Sequence, residues 1–104
     1  MVHAFNFSQL QTELQKKGFL LVDFWAEWCG PCRALAPTFE EVSHQFKGKC
    51  TFAKVNVEES PEVQQFGISS IPCLILFKDG VESNRIVGAL PADALKQQIE
   101  EMLK

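Results

Sequence analysis

The sequence lacks several features that would place it in a specialised class of protein. It has ten basic residues against thirteen acidic ones and contains no basic run, which argues against a surface that binds nucleic acid or anionic membranes. No apolar run approaches the length of a membrane span. Residues 1–6 lack the charged and apolar regions of a secretory signal peptide. We therefore expect a cytoplasmic protein that has no nucleic acid and no membrane among its partners.

The length of 104 residues leaves room for one domain, residues 1–104, with a single sizeable core. The chain contains four cysteines. In a reducing compartment, cysteines are expected to act as reactive thiols more often than as structural crosslinks. The cysteines are therefore the first candidates for the chemistry of this protein.

Two of the cysteines, Cys29 and Cys32, are separated by Gly30-Pro31 and follow an apolar run. Pro31 fits the start of a helix because its φ is already helical and its missing N–H costs no hydrogen bond there. Cys29 is then expected at the helix N-terminus, where free N–H groups and the helix dipole favour a thiolate. Cys32 lies one turn further on, within reach of a disulfide. The pair is predicted to cycle between dithiol and disulfide, as this type of motif is known to do. The alternative is an inert buried pair.

A zinc site is a second alternative, because the number of cysteines is right for one. However, only one pair has the spacing of a zinc knuckle, while Cys50 and Cys73 fall singly in predicted strands. We therefore expect no metal and no cofactor. Cys50, at the start of an apolar strand, is predicted to be an inert core thiol.

The hydrophobic pattern predicts the order β-α-β-α-β-α-β-β-α, an α/β fold. Its early alternation favours parallel strands, and a hairpin turn at Lys78-Asp79-Gly80 adds an antiparallel edge. The dithiol is expected at the carboxyl end of a central strand, where open α/β sheets place their sites. The predicted strands are 2–5, 19–25, 50–57, 73–77 and 81–87. The first predicted helix is 9–16, with Ser8 as N-cap and Gln11 in the capping-box position. The second is 31–46, with a kink at Pro37. The third is 61–66, with Ser60 as its cap, and the last starts at Pro91.

Asp23 lies inside the apolar run Phe19–Trp25, so it must be neutral, paired or hydrogen-bonded if it is buried. Its expected partner is Lys54 on the adjacent strand. Two alternatives remain open: Asp23 could reach water at the strand end, and Lys54 could face outward.

Motifs along the whole chain, in the right order, resemble the thioredoxin family. They are Val22-Asp23-Phe24-Trp25-Ala26, Trp28-Cys29-Gly30-Pro31-Cys32, Lys54, Ile71-Pro72, Lys78-Asp79-Gly80 and Val87-Gly88-Ala89. The resemblance implies the thioredoxin fold, a central mixed sheet of about five strands flanked by four helices. It also implies a protein dithiol–disulfide oxidoreductase in cell redox homeostasis. Such a protein reduces disulfides in target proteins, is itself reduced by a thioredoxin reductase, and is expected to be a monomer.

The resemblance also implies a role for each matching residue. Cys29 is the nucleophile, Cys32 resolves the mixed disulfide, and Asp23 exchanges a proton with Cys32. Gly30 and Pro31 tune the redox potential toward that of the reducing members, and the Ile71-Pro72 bond is expected to be cis. Lys54 supports Asp23. The substrate-binding surface, here called the docking rim, consists of Trp28, Ile71, Pro72, Val87, Gly88 and Ala89.

Two residues depart from the family pattern. Cys73 stands where the family usually has threonine, and Ser70 stands where it commonly has glycine. Both lie beside the expected docking rim, which leaves substrate preference open. An exposed Cys73 thiol could be a regulatory site that blocks docking when modified, or Cys73 could be a small apolar filler. A binding module that uses the thioredoxin fold without redox chemistry is the rival function.

Overall fold

The computed structural model describes residues 1–104, whose five strands join one mixed sheet. The strands are β1 (Val2–Ala4), β2 (Phe19–Trp25), β3 (Thr51–Asn56), β4 (Cys73–Lys78) and β5 (Val81–Val87), in the spatial order β1-β3-β2-β4-β5. The helices are α1 (Phe7–Glu13), α2 (Gly30–Gln45), a 3₁₀ helix (Pro61–Phe66) and α3 (Ala92–Met102). None of the helices has the length and apolar composition needed to cross a membrane. The predicted α/β order and the mixed sheet with four helices are confirmed.

β2 is the central strand, and its neighbours run in opposite senses. It is parallel to β3 and antiparallel to β4, while β5 adds an antiparallel edge beyond β4. Residues 20–24 are all buried, as expected for a strand that is covered on both faces. The carboxyl end of β2 therefore lies beside the amino end of β4, and the dithiol lies at this end of the two strands.

Each face of the sheet has its own hydrophobic cluster. The cluster that includes Leu10 of α1 and Val63 of the 3₁₀ helix packs on one face. The cluster that includes Leu35 and Phe39 of α2, together with Leu95 of α3, packs on the other. Each such fully buried side chain contributes roughly 1.5–3 kcal/mol. The two clusters hold β2 and β4 as a rigid platform for the loops that follow and precede them.

The start of α1 differs from the prediction. The N-cap is Asn6 rather than Ser8, and the helix ends at Glu13 rather than Lys16. Asn6 Oδ1 accepts a hydrogen bond from the Gln9 N–H at 2.8 Å, and Gln9 Oε1 accepts one from the Asn6 N–H at 2.8 Å. Asn6 and Gln9 repeat the spacing of Ser8 and Gln11 two residues earlier, and asparagine caps a helix as well as serine does.

The residue before the 3₁₀ helix also acts differently from the prediction. Ser60 makes no side-chain cap bond; instead its Oγ accepts a hydrogen bond from the Phe7 N–H at 3.1 Å. Ser60 is buried, so this bond satisfies a hydroxyl that would otherwise be costly. The strands β2 and β5 have the predicted bounds, whereas β1 and β3 are shorter than predicted. α2 starts one residue early and is continuous through Pro37, where the kink stays a prediction.

Candidate active site

Cys29 and Cys32 form a disulfide at the start of α2, with their Cα atoms 5.2 Å apart. Cys29 is the N-cap in extended conformation, and its Sγ accepts a hydrogen bond from the Cys32 N–H at 3.2 Å. Gly30 and Pro31 are the first two helical residues, so proline stands where no N–H is missed. The predicted placement of Cys29 is confirmed. We expect the same N–H and the helix dipole to stabilise a Cys29 thiolate in the reduced protein.

The dithiol lies in an apolar setting just beyond the carboxyl end of the central strand β2. Both cysteines are buried together with Ala26, and Val57 and Ile71 pack against them. Cys29 Sγ is 3.8 Å from the carbonyl oxygen of Ile71. The Ile71-Pro72 peptide bond is cis and faces the cysteines, as the resemblance implied. The loop that precedes β4 is therefore in direct contact with Cys29.

The docking rim combines two strongly exposed apolar side chains with a fixed backbone. The side chains of Trp28 and Val87 are 66% and 60% exposed, which is unusual for large apolar groups. Ala89 is exposed, Ile71 and Gly88 are half-buried, and Pro72 is buried. The Gly88 N–H donates a hydrogen bond to the Pro72 carbonyl at 2.8 Å. The φ of Gly88 is +96°, a conformation that favours glycine.

Asp23 is only 3% exposed, so it does not reach water at the strand end. Its Oδ1 is buried without a hydrogen-bond partner. Burial raises the pKa of Asp23 to about 7, although the positive charge of Lys54 acts to lower it. A small cavity of about 80 Å³ adjoins the carboxyl group and is lined by Val2, Asp23, Ala36, Phe39, Glu40 and Lys54. Asp23 is thus a buried proton-binding group on the face of the sheet that α2 covers.

Neither of the remaining cysteines is an exposed thiol. Cys73 is 1% exposed, and burial raises its pKa. The regulatory interpretation of Cys73 required an exposed thiol, and that premise is wrong, because the side chain fills space in the apolar cluster beside Phe24 and Ile75. Burial also raises the pKa of Cys50 to about 12, which fits an inert core thiol. No three histidine, cysteine or acidic side chains lie close enough together in the structure to hold a metal ion.

Three contacts near the site were missed in the sequence. Val57 packs on the dithiol, and its place after β3, whose end lies beside that of β2, was an available signal. Arg33 Nη1 donates a hydrogen bond to the Glu27 carbonyl at 2.9 Å and so fixes the turn before Cys29. Arg85 of β5 binds backbone carbonyls of the segment that leads to Ile71. No sequence motif signals either arginine contact, because both acceptors are backbone oxygens.

Comparison with known proteins decides the family. A family model described as thioredoxin matches residues 1–101. This chain belongs to the thioredoxin family. It is 49% identical to thioredoxin 1 of Nostoc sp. over 85 residues, covering 81% of this chain and 79% of the relative. It is 46% identical to the thioredoxin of Alicyclobacillus acidocaldarius over 98 residues, covering 93% of each chain.

The family and the disulfide together establish the chemistry of this thioredoxin-family chain. The Cys29–Cys32 pair is a redox-active centre that alternates between dithiol and disulfide, and the chain acts as a protein-disulfide reductase. Its partners are, in general terms, disulfide-containing target proteins and a reductase.

Proposed function

We propose that Cys29 attacks the target disulfide and that Cys32 resolves the product. The Cys29 thiolate bonds to one target sulfur, and the other target sulfur leaves as a thiolate that takes up a proton. The Cys32 thiolate then attacks Cys29 Sγ and displaces the first target sulfur, which also takes up a proton. Two electrons pass to the target, and the chain ends as the Cys29–Cys32 disulfide. The observation that carries this assignment is the N-cap position of Cys29, whose Sγ accepts the Cys32 N–H.

Asp23 is the proposed proton acceptor for Cys32. The carboxyl group adjoins the cavity against Ala36 and Phe39 of α2, the helix that carries Cys32 in its first turn. Its pKa of about 7 makes the group able to accept and release a proton near neutral pH. Lys54 supports this role by lowering the pKa of Asp23 toward that range. A proton taken from Cys32 converts it into the nucleophile of the second step.

The docking rim is proposed to hold the target during the exchange. Trp28 and Val87 expose apolar surface, and the Gly88 amide fixes the backbone of the Ile71-Pro72 loop. Targets are therefore expected to present an apolar segment next to their disulfide. Gly30 and Pro31 complete the first turn between the sulfur atoms, and their proposed role is to tune the redox potential toward the reducing range.

The finer identity of the partners belongs to the same proposal. A thioredoxin reductase supplies the electrons, and residues 1–104 act as one domain and as a monomer in the cytoplasm, where a reducing pool sustains the reaction. A net charge of −3 without a basic run disfavours binding to nucleic acid or to anionic membranes.

The test is insulin reduction coupled to a thioredoxin reductase, because it examines the activity and the electron source together. Wild type is expected to reduce insulin only when the reductase is present, and a variant with both Cys29→Ser and Cys32→Ser is expected to be inactive. Failure of the wild-type protein to reduce insulin would contradict the proposal. A binding module would behave differently, since the double variant would keep its cellular role.

A further inference from the structure

Residues 67–71 form the loop that brings Ile71-Pro72 to the dithiol. The loop leaves the 3₁₀ helix at Gly67 and enters β4 after Pro72. Between these points, Ser69 and Ser70 are exposed, and only Ile68 is buried. The position of the loop therefore depends strongly on how its two ends are held.

Arg85 of β5 holds the first end of the loop. Its Nη2 donates a hydrogen bond to the Phe66 carbonyl at 2.7 Å, and its Nη1 donates one to the Gly67 carbonyl at 3.2 Å. These carbonyls terminate the 3₁₀ helix, where backbone oxygens lack partners within the helix. A cation that donates to such oxygens forms charge-assisted bonds, which are stronger than neutral ones.

The guanidinium group of Arg85 is itself held by Glu82. Arg85 Nε donates to Glu82 Oε2 at 2.9 Å, and Arg85 Nη2 donates to Glu82 Oε1 at 2.8 Å. The two side chains are 27% and 37% exposed, respectively. This two-point pairing orients the planar group before it meets the carbonyls, so little side-chain freedom is lost in binding them.

Gly88, three residues after Arg85, holds the other end of the loop. Its N–H donates to the Pro72 carbonyl at 2.8 Å. Both ends of the loop are thus fastened to one edge strand and the residue that follows it. A shift of Arg85 would release the first end while the second stayed fixed, and Ile71 would move relative to Cys29.

We infer that Arg85 is a positioning residue that sets the place of the Ile71-Pro72 loop against Cys29 and thereby governs the docking of protein disulfides. The inference rests on the proposed docking rim. Arg85 makes no hydrogen bond to either sulfur of the centre, so we expect its effect to fall on docking and not on the reactivity of the dithiol. Its acceptors are the two carbonyls at the start of the loop, and its orientation comes from Glu82.

The test compares Arg85→Met, Arg85→Lys and a matched control, Asp79→Ala. Methionine keeps an unbranched side chain but cannot donate, whereas lysine can donate to one carbonyl but cannot form the two-point fork. Asp79 lies in the turn between β4 and β5, and its carboxylate accepts a hydrogen bond from the Gly18 N–H at 2.7 Å. The control variant therefore loses a long-range hydrogen bond of the β4–β5 hairpin and leaves the loop of residues 67–71 unchanged.

Each variant is examined by urea unfolding, by alkylation of reduced Cys29 with iodoacetamide, and by insulin reduction. For Arg85→Met, we expect KM for insulin to rise about five- to tenfold while kcat and the alkylation rate stay within about twofold. Arg85→Lys is expected to give an intermediate KM. Asp79→Ala is expected to lose stability and to keep the wild-type KM.

The inference is overturned if Arg85→Met has the wild-type KM, or if Asp79→Ala raises KM to the same extent. It is also overturned if the alkylation rate falls in parallel with insulin reduction, because the effect would then lie at the dithiol. If Arg85→Met does not fold, the KM of Arg85→Lys against that of Asp79→Ala decides the question. A wild-type protein that fails to reduce insulin contradicts the proposed function itself, and the inference falls with it.

Discussion

Asp23 and Lys54 lie directly opposite each other on neighbouring parallel strands and yet do not form an ion pair. The Lys54 ammonium group lies over the ring of Trp25, 5.2 Å from its centroid, while Asp23 Oδ1 has no partner. Loss of solvation therefore outweighs the attraction of Lys54, and the pKa of Asp23 stands at about 7, well above the ordinary value of 3.8. This balance has consequences for both stability and activity.

Asp23→Ala is expected to stabilise the fold at pH 8. Between pH values of about 4 and 7, native Asp23 holds a proton that the unfolded chain has released, so the free energy of unfolding falls as the pH rises through this range. Above pH 7 the full cost of a buried carboxylate remains. Removal of the carboxyl group should therefore raise the free energy of unfolding at pH 8 by about 2–4 kcal/mol, partly offset by a small cavity.

Urea unfolding of the oxidised proteins at pH 4, 6 and 8 measures this effect. Asp23→Asn serves as the control, because it also cannot titrate and should lose the same pH dependence. Lys54→Met should raise the pKa of Asp23 further, since the charge that lowers it is gone. If Asp23→Ala is less stable than wild type at pH 8, the ionised carboxyl group of Asp23 stabilises the fold and its pKa is not raised.

The same substitution is expected to slow the second chemical step. Without the carboxylate, Cys32 loses the proposed acceptor for its proton, and general-base contributions are typically about 10²–10⁴-fold. Stopped-flow measurement of product release at pH 7 should show a longer-lived mixed disulfide in Asp23→Ala. Alkylation of Cys29 by iodoacetamide is the control and should change little. Unchanged release would leave Asp23 with no part in the reaction.

The two cysteine variants should behave differently toward target proteins. Cys32→Ser keeps the attacking thiolate at the N-cap but cannot release the target, so mixed disulfides should accumulate. Cys29→Ser removes the attacking sulfur and should trap nothing. Non-reducing gels of each variant after incubation with oxidised insulin make the comparison. Equal trapping by both variants would contradict the assignment of Cys29 as attacker and Cys32 as resolver.

Cys73→Thr should not change the sensitivity of the protein to mild oxidants. Oxidation requires an accessible thiolate, and Cys73 is buried with a raised pKa. Wild type and Cys73→Thr should therefore lose insulin-reducing activity along the same curve after treatment with hydrogen peroxide, and a thiol reductant should restore both equally. A loss confined to the wild-type protein would restore the regulatory interpretation of Cys73.

Gly80→Ala should be far more damaging than Gly48→Ala, although both glycines have a φ of +84°. A methyl group at Gly80 would collide with the carbonyl oxygen of Leu14, whereas the same group at Gly48 meets open space. We expect a loss of about 1–2 kcal/mol at Gly48 from the left-handed conformation alone, and of more than about 3 kcal/mol at Gly80. Urea unfolding measures both, and equal losses would show that the hairpin shifts freely away from Leu14.

Strong local patterns were enough to predict much of the fold. The unbroken apolar run of β2 and the turn at Asp79-Gly80, where both residues have positive φ, gave the correct bounds of β2 and β5. The first turn of α2 was also predicted, because Pro31 admits few other conformations there. These signals are local, so no knowledge of the packed structure was needed.

The errors arose where two local signals competed or where the partner was remote. Ser8 and Asn6 both precede a glutamine at capping-box spacing, and the pattern alone did not decide between them. Ser60 has the composition of a cap, but its hydroxyl bonds to Phe7, 53 residues away in the chain. The contacts of Arg85 had no signal in the sequence, because its carbonyl acceptors are 18 and 19 residues earlier and carry no side-chain signature.

The order of the strands also determines when the surroundings of the dithiol can be completed during synthesis. Cys29 lies 42 residues before Ile71, whose carbonyl adjoins its sulfur. A ribosome therefore releases Cys29 before it releases the loop that faces it, and Gly88 emerges later still. A nascent chain between these points carries both cysteines without the loop that packs on them. The pairing of β4 with β2 places this loop against Cys29, so the surroundings of the dithiol are complete only when the second half of the sheet has formed.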